Sequence, residues 1–214
     1  METPIVSKKL LKRLPVYLHY IKTLPEHTEN ISATRMARDL GLGDVMVRKD
    51  LAKVSNGGRR KIGHVREDLI VDIEKFLDFN STTNAIVIGA GKLGQALMDY
   101  SGFEASGLHI VAGFDTCTPG KQTNGGKNIY PMTRLAQFCK DNRISIAIVT
   151  VPAESAQDVC DVLVDCGIRA IWNFAPVHLN VPDRIVVQSE NLAVSLTALR
   201  MQLKSRNARN ASDL

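Results

Sequence analysis

Asn84-Ala85-Ile86-Val87-Ile88-Gly89-Ala90-Gly91-Lys92-Leu93-Gly94 decides the reading of this chain. Ile86 to Ile88 is a short apolar run that reads as a buried strand, and it leads into Gly89-x-Gly91-x-x-Gly94. From Lys92 to Tyr100 the pattern is helical. Each glycine answers a different steric demand. Gly89 permits a tight strand-to-helix turn, Gly91 lets a pyrophosphate approach the backbone, and Gly94 lets the helix pack closely on the strand. The helix N-terminus offers unpaired N–H groups and the positive end of a dipole to phosphates. A second apolar run, His109 to Phe114, ends at Asp115, 21 residues after Gly94. An acid there accepts hydrogen bonds from adenosine ribose hydroxyls, and Asp rather than Arg favours NAD(H) over NADP(H). Glycines that only shape a turn in an α/β core are the alternative. Strand, glycines, helix, strand and acid in that order favour a dinucleotide site.

Downstream, strands and helices alternate. Thr116 to Asn128 is a polar, glycine-rich surface loop, Ile129-Tyr130 a short strand, and Met132 to Asp141 a helix. Ile144 to Val151 is an apolar strand ending at Pro152; Ala153 to Cys166 is a helix stopped by Gly167. Arg169 to Phe174 and Ile185 to Val187 read as the last strands. Such alternation implies a parallel, doubly wound sheet, with ligands at the carboxyl ends of its strands. Those ends hold Gly89 to Gly94, Asp115, Val151-Pro152 and Asn173-Phe174-Ala175-Pro176. Asn191 to Leu203 places Leu192, Leu196, Leu199 and Leu203 on one face, a stripe suited to a partner subunit. Ser205 to Leu214 is polar, and the expectation for it is disorder.

Upstream, Ser7 to Leu24 has Leu10, Leu11, Leu14, Tyr17, Leu18 and Ile21 at helical spacing, with Pro15 expected to kink the helix or mark a late start. Ser32 is a candidate cap for a short helix, Thr34 to Leu40. Gly41-Leu42-Gly43 is a turn, and Asp44 is expected to cap Val45 to Val54, where Val47 and Leu51 face inward. Short helix, glycine turn and basic helix have the spacing of a helix-turn-helix. Ser55-Asn56-Gly57-Gly58-Arg59-Arg60-Lys61 can form the wing of a winged helix. Arg48, Lys49, Lys53, Arg59, Arg60 and Lys61 are the candidate DNA contacts. A helical oligomerisation domain with a charged outer face is the alternative. Val65 to Leu77 is a further amphipathic helix, and Asp78 to Thr83 a polar linker. The expected organisation is a DNA-binding domain over 1–80, a Rossmann domain over 81–188, a dimerisation helix over 189–204 and a tail over 205–214.

Charge separates the two halves. Residues 32–66 hold nine Lys/Arg against three acids, whereas residues 81–214 hold twelve against eleven. A polyanion partner is thus implied for the first part only. Cys117, Cys139, Cys160 and Cys166 show no C-x-x-C spacing, which argues against a metal site. Cys117 falls in a loop, as a bystander or a redox-sensitive thiol. No apolar stretch reaches the ~20 residues of a membrane span, and the first residues lack a signal-peptide pattern. Cytoplasmic residence is the expectation.

Val47-Arg48-Lys49-Asp50-Leu51, Gly89-Ala90-Gly91-Lys92-Leu93-Gly94, Tyr100-Ser101-Gly102-Phe103, Val151-Pro152-Ala153 and the segment from Asn173-Phe174-Ala175-Pro176 to Pro182 together resemble the Rex family of redox-sensing transcriptional repressors. The resemblance implies a homodimer of winged-helix and Rossmann domains whose last helices are exchanged between subunits. It implies operator DNA bound in the NAD+ state and released by NADH. Carried over by position, Gly89, Ala90, Gly91, Lys92, Leu93 and Gly94 cradle the pyrophosphate, and Asp115 holds the ribose. Val151, Pro152, Asn173, Phe174, Ala175 and Pro176 line the nicotinamide half. Tyr100 matches a switch tyrosine, Arg13 its arginine partner, and Asn191 stands where the family usually has an aspartate. Leu192 replaces a residue that is often aromatic, and the wing, Val54 to His64, departs from the family's pattern.

Two other readings compete. A small NAD-dependent dehydrogenase would need a proton relay beside the nicotinamide; His178 is the only histidine near a strand end, and no substrate domain follows. A repressor of the same build that answers a different ligand is the other, motivated by Asn191, Leu192 and the wing.

Overall fold

The Ser7 hydroxyl accepts the N–H of Leu10 at 3.3 Å and so opens the first helix, α1 (Lys8–Thr23). The computed structural model describes residues 7–59, 62–79 and 81–212. Pro15 lies inside α1 and neither ends it nor delays its start. Leu10, Leu14, Tyr17, Leu18 and Ile21 are buried on both sides of Pro15, so the packed face carries the helix past the missing N–H. The chain divides into two compact units, Met1–Ser81 and Thr82–Leu214.

In the first unit α1 is followed by β1 (Asn30–Ile31), α2 (Ala33–Asp39), α3 (Asp44–Val54), β2 (His64–Val65) and α4 (Arg66–Phe76). Ser32 caps α2, its hydroxyl accepting from Arg35 N at 3.1 Å. Asp44, expected as the cap of α3, is instead its first residue; Gly43 occupies the cap. The Asp44 carboxylate is drawn to the Thr34 hydroxyl (3.0 Å) and the Arg48 guanidinium (2.7 Å), while still lying in the first turn, where an acid suits the helix dipole. β1 and β2 pair antiparallel, Ile31 opposite His64, and beyond them Arg59 bridges Gly63. A small ribbon thus follows α3, the wing of a winged helix. Met36, Ala37, Val47, Leu51, Leu69 and Ile73 close the core against α1.

The second unit contains β3 (Thr83–Ile88), α5 (Lys92–Met98), a 3-10 turn (Ser101–Ser106), β4 (Leu108–Phe114), β5 (Ile129–Tyr130), α6 (Leu135–Asp141), β6 (Ile146–Val149), α7 (Ala153–Asp165), β7 (Ala170–Asn173), β8 (Val186–Ser189) and α8 (Leu192–Ser212). All six strands are parallel, in the order β5-β4-β3-β6-β7-β8. The order reverses at β3, the topological switch point of a Rossmann sheet. Alternate residues of β3 face opposite cores. Ile86 and Ile88 pack with Phe114, Val149, Ala156 and Leu163; Ala85 and Val87 pack with Met98, Ile110 and Ile148. Register aligns the strand ends, with Ile88 beside Phe114 and Val149, and Val149 beside Asn173. Every loop named for the cofactor therefore leaves the sheet along one edge.

Two sequence expectations change here. The helix from Lys92 stops at Met98, and Tyr100 is the cap residue of the 3-10 turn that follows. The tail beyond Ser205, expected to be disordered, continues α8 as far as Ser212. That stretch carries neither Gly nor Pro, and its Ala and Arg residues are strong helix formers. No helix among the described residues is long and apolar enough to cross a membrane.

Candidate nucleotide site and nucleic-acid interface

The glycine loop is shaped as its sequence requires. Gly89 has φ +93°, and a side chain there would press on Val151 Cγ1 at 2.9 Å and the Thr150 backbone at 3.0 Å. Gly94 is buried, and a Cβ on it would collide with the carbonyl oxygen of Gly89. The first turn of α5 is held against the turn that precedes it by this contact. Nothing lies within 4 Å of a Cβ built on Gly91. Open space on that side leaves the backbone approachable, and the first-turn N–H groups of α5 have no intrahelical acceptor. Two braces were not foreseen. Thr150 Oγ1 donates to the Gly89 carbonyl at 2.6 Å, and Gln95 Nε2 to the Ala90 carbonyl at 2.7 Å. Thr150, the polar residue just before Val151-Pro152, was the one sequence signal for the first.

Asp115 sits at the end of β4. Its Oδ1 accepts the N–H groups of Cys117 (2.6 Å) and Thr118 (3.2 Å), which fixes the carboxylate and leaves Oδ2 without a partner among the described residues. Lys92 and Leu93 are exposed in the first turn of α5, Val151 is half-buried, and Pro152 caps α7. Asn173 is fully buried. Its amide donates to the carbonyls of Ala175 (3.2 Å) and Val177 (2.9 Å), and its Oδ1 accepts from Ala175 N (2.9 Å). The side chain is thus occupied in folding the Asn173–Val177 turn. The turn sets the half-buried Phe174 and the exposed Pro176 along the same sheet edge as Asp115 and Val151.

Tyr100, 58% exposed, meets Phe103 edge-on at 4.9 Å; Phe103 meets Trp172 at 5.7 Å, and Trp172 meets Phe174 at 4.6 Å. An aromatic row therefore runs from the expected switch tyrosine to the loop after β7. Trp172 Nε1 donates to Glu190 Oε1 at 3.4 Å, and Glu190 N to the Asn173 carbonyl at 2.8 Å. Asn191 Oδ1 accepts the N–H of Val194 at 3.0 Å, so Asn191 caps the first turn of α8. His178 is exposed.

In the first unit α3 turns Val47, Asp50 and Leu51 inward and Arg48, Lys49 and Lys53 outward. Arg48 keeps 65% of its side chain exposed despite pairing with Asp44. Arg59 is exposed on the wing; Arg60 and Lys61 lie outside the described residues. The helix and wing walls bound a groove of about 780 Å³ that includes Arg48, Ala52, Ser55, Asn56, Arg59 and His64. An exposed basic helix beside a basic ribbon suits a duplex, the helix to base edges and the ribbon to phosphates.

Asp50 was not singled out in the sequence. The Arg13 guanidinium grips its carboxylate twice (2.7 and 2.8 Å), and the Tyr17 hydroxyl donates to it at 2.9 Å. Burial, and then the bond to Asp50, push the Tyr17 hydroxyl up to about 12. Arg13, expected as a partner of Tyr100, thus has a local task in tying α3 to α1. An acid on the Val47–Leu51 face was the signal available in the sequence.

Two family models match. One described as "CoA binding domain" covers residues 80–177, and one described as "Putative DNA-binding protein N-terminus" covers residues 5–52. A Porphyromonas gingivalis protein named redox-sensing transcriptional repressor Rex is 38% identical over 94% of this chain and 93% of its own length. A Treponema denticola protein of the same name is 39% identical over 92% and 94%. Among solved structures, RSP in complex with beta-NAD+ and operator DNA matches with a TM-score of 0.88 and 32% identity, over 98% of this chain and 97% of that one. RSP in complex with beta-NADH matches with a TM-score of 0.84 and 32% identity, over 98% and 99%.

Proposed function

Because the chain belongs to the Rex family of redox-sensing transcriptional repressors, we propose that it is a homodimeric DNA-binding repressor that holds its operator in the apo or NAD+ state and gives it up when NADH binds. The observation that carries this reading is the co-occurrence, in one chain, of an exposed basic helix and wing with a glycine loop whose neighbouring acid is free on one oxygen. The residues fit a dinucleotide. The open side of Gly91 and the first turn of α5 receive the pyrophosphate; Asp115 Oδ2 receives a ribose hydroxyl. Val151-Pro152 and Asn173 to Pro176 bound the nicotinamide end, with Asn173 shaping the turn and Phe174 supplying the ring face. Coenzyme A shares the adenosine diphosphate that such a loop recognises, but it carries a ribose phosphate. The fixed, charged Asp115 repels a phosphate and welcomes a free hydroxyl. NAD(H) is the better match.

α8 supports the dimer. Leu192, Leu196, Leu199 and Leu203 are each more than half exposed, as are Val194 and Met201 on its other side. A helix apolar on two sides needs cover on both. Exchange of α8 between subunits provides it. Ligand control then follows from NADH having different affinities for two dimer geometries, with Tyr100, Arg13 and Asn191 as the switch. Such a protein acts in the cytoplasm, beside the chromosome. A repressor of the same build with a different ligand is the second reading, favoured by Asn191, whose amide cannot carry an aspartate's charge.

Arg48→Ala tests the division of labour. The expected result is loss of operator binding with NADH affinity intact. Loss of both together contradicts separate sites.

A further inference from the structure

His64 lies on β2 in the wall of the groove between α3 and the wing, with Arg48, Ser55, Asn56 and Arg59 around the same space. Its ring is half-buried, and Nδ1 is sealed from solvent without a hydrogen-bond partner among the described residues. Gly58 is flush against the opposite edge: a Cβ there would stand 2.9 Å from Nε2 and 3.0 Å from Cε1. The wing therefore closes on an imidazole whose Nδ1 is unpaired, inside a groove that Arg48 and Arg59 make cationic. Because Nδ1 is sealed, a partner seated in the groove meets the ring at its Nε2 edge, beside Gly58. The groove walls define what the partner is. Arg48 and Arg59 favour an anion, Ser55 and Asn56 offer hydrogen bonds, and the open trough suits an extended polyanion rather than a small enclosed ion.

We propose that this groove seats a phosphodiester of the DNA backbone and that His64 is a proton-linked contact to it. The proposal rests on the DNA-binding reading above and adds a residue to it that neither the family resemblance nor the basic side chains supplied. The charged groups facing the ring are Asp72 of α4, whose attraction favours the imidazolium, and Arg48 and Arg59 across the groove. In the free protein, burial outweighs Asp72 and holds the imidazole below its ordinary value. The ring is thus neutral at physiological pH until phosphate approaches. A phosphate's charge raises that value, so loading the groove takes up a proton. Affinity for DNA then falls as pH rises through the interval between the free and the DNA-bound values, by at most about tenfold per pH unit for one proton.

The test uses the full-length protein without nucleotide and a fluorescein-labelled duplex selected from random sequence on the wild-type protein. Anisotropy titrations from about pH 5.5 to about pH 8 compare wild type with His64→Gln, using His19→Gln and His27→Gln as controls on exposed histidines. The expected result is a dissociation constant that rises at least about threefold over this range in wild type and in both controls, and a flat profile in His64→Gln. An equal slope in wild type and His64→Gln overturns the proposal. Should His64→Gln fail to fold, the His64 ring resonances of the wild type, titrated with and without the duplex, decide the same question; an imidazole titrating identically in both overturns it. Absence of duplex binding at every pH defeats the DNA-binding reading itself and this inference with it, whereas binding without proton linkage defeats this inference alone.

Discussion

Arg13→Met strands the Asp50 carboxylate inside the first unit. The Asp50 side chain is 6% exposed, and two of its three hydrogen bonds come from Arg13. Removing one member of a buried ion pair costs about 3–5 kcal/mol. The Arg13 side chain is 24% exposed, so water can reach the vacated position and the Tyr17 bond persists, which brings the expected loss to about 2–3 kcal/mol. Hydrogen exchange on the full-length protein reads this loss directly. The slowest amides of α3, which open with the whole unit, should exchange about 30- to 150-fold faster, while those of α7 in the second unit are unchanged. Arg13→Met/Asp50→Leu should recover part of the loss, because no charge is left unpaired. Operator binding should weaken in the single variant, since α3 is no longer held to α1. Unchanged α3 exchange, or a double variant worse than the single one, refutes the assignment of this cluster as the anchor of the helix.

Asp115→Ala removes the acceptor for a ribose hydroxyl and should weaken NADH binding by about 10- to 150-fold by calorimetry, the worth of one charged hydrogen bond; undiminished affinity would place the ribose elsewhere. Gly94→Ala drives a methyl group into the Gly89 carbonyl, so nucleotide binding should fall below detection while DNA binding persists, and retained NADH affinity contradicts the packing argument. Tyr17 has a folded-state value of about 12 against an ordinary 10.0. Its stabilising contribution is complete below pH 10 and is lost as pH rises toward 12. The urea midpoint by circular dichroism should fall across that window in wild type more steeply than in Tyr17→Phe, and parallel curves count against the buried Tyr17–Asp50 bond.

How legible all this was in the sequence varies with the physical origin of each feature. The glycine loop could be read because each of its demands excludes side chains at a fixed position: positive φ at Gly89, contact with a carbonyl at Gly94. The alternating apolar runs likewise announced a parallel sheet, because both faces of β3 are buried. Capping was harder to read. Ser32 was correctly placed, but Asp44 was not, because its carboxylate had Thr34 and Arg48 to satisfy it and Gly43 served as cap. The tail beyond Ser205 was misjudged from its polarity, although helix propensity favoured continuation. The pairings that span long stretches of chain were the least accessible. Arg13 and Asp50 are 37 residues apart, and nothing local joins them. The same holds for Trp172 with Phe103, and for the bond from Thr150 to Gly89, which is 61 residues away. Asn191 illustrates a different limit. Its role as a cap is local and visible, whereas the switch role proposed for it depends on a second subunit.

The central claim is that one dimer reads a nucleotide and releases DNA in response. The most direct measurement is titration of the purified full-length protein, bound to a labelled palindromic duplex, with NADH and separately with NAD+. Release by NADH at low concentration, with NAD+ ineffective, is the result predicted here. Tight DNA binding that is indifferent to both nucleotides would leave the repressor standing and contradict the redox sensor.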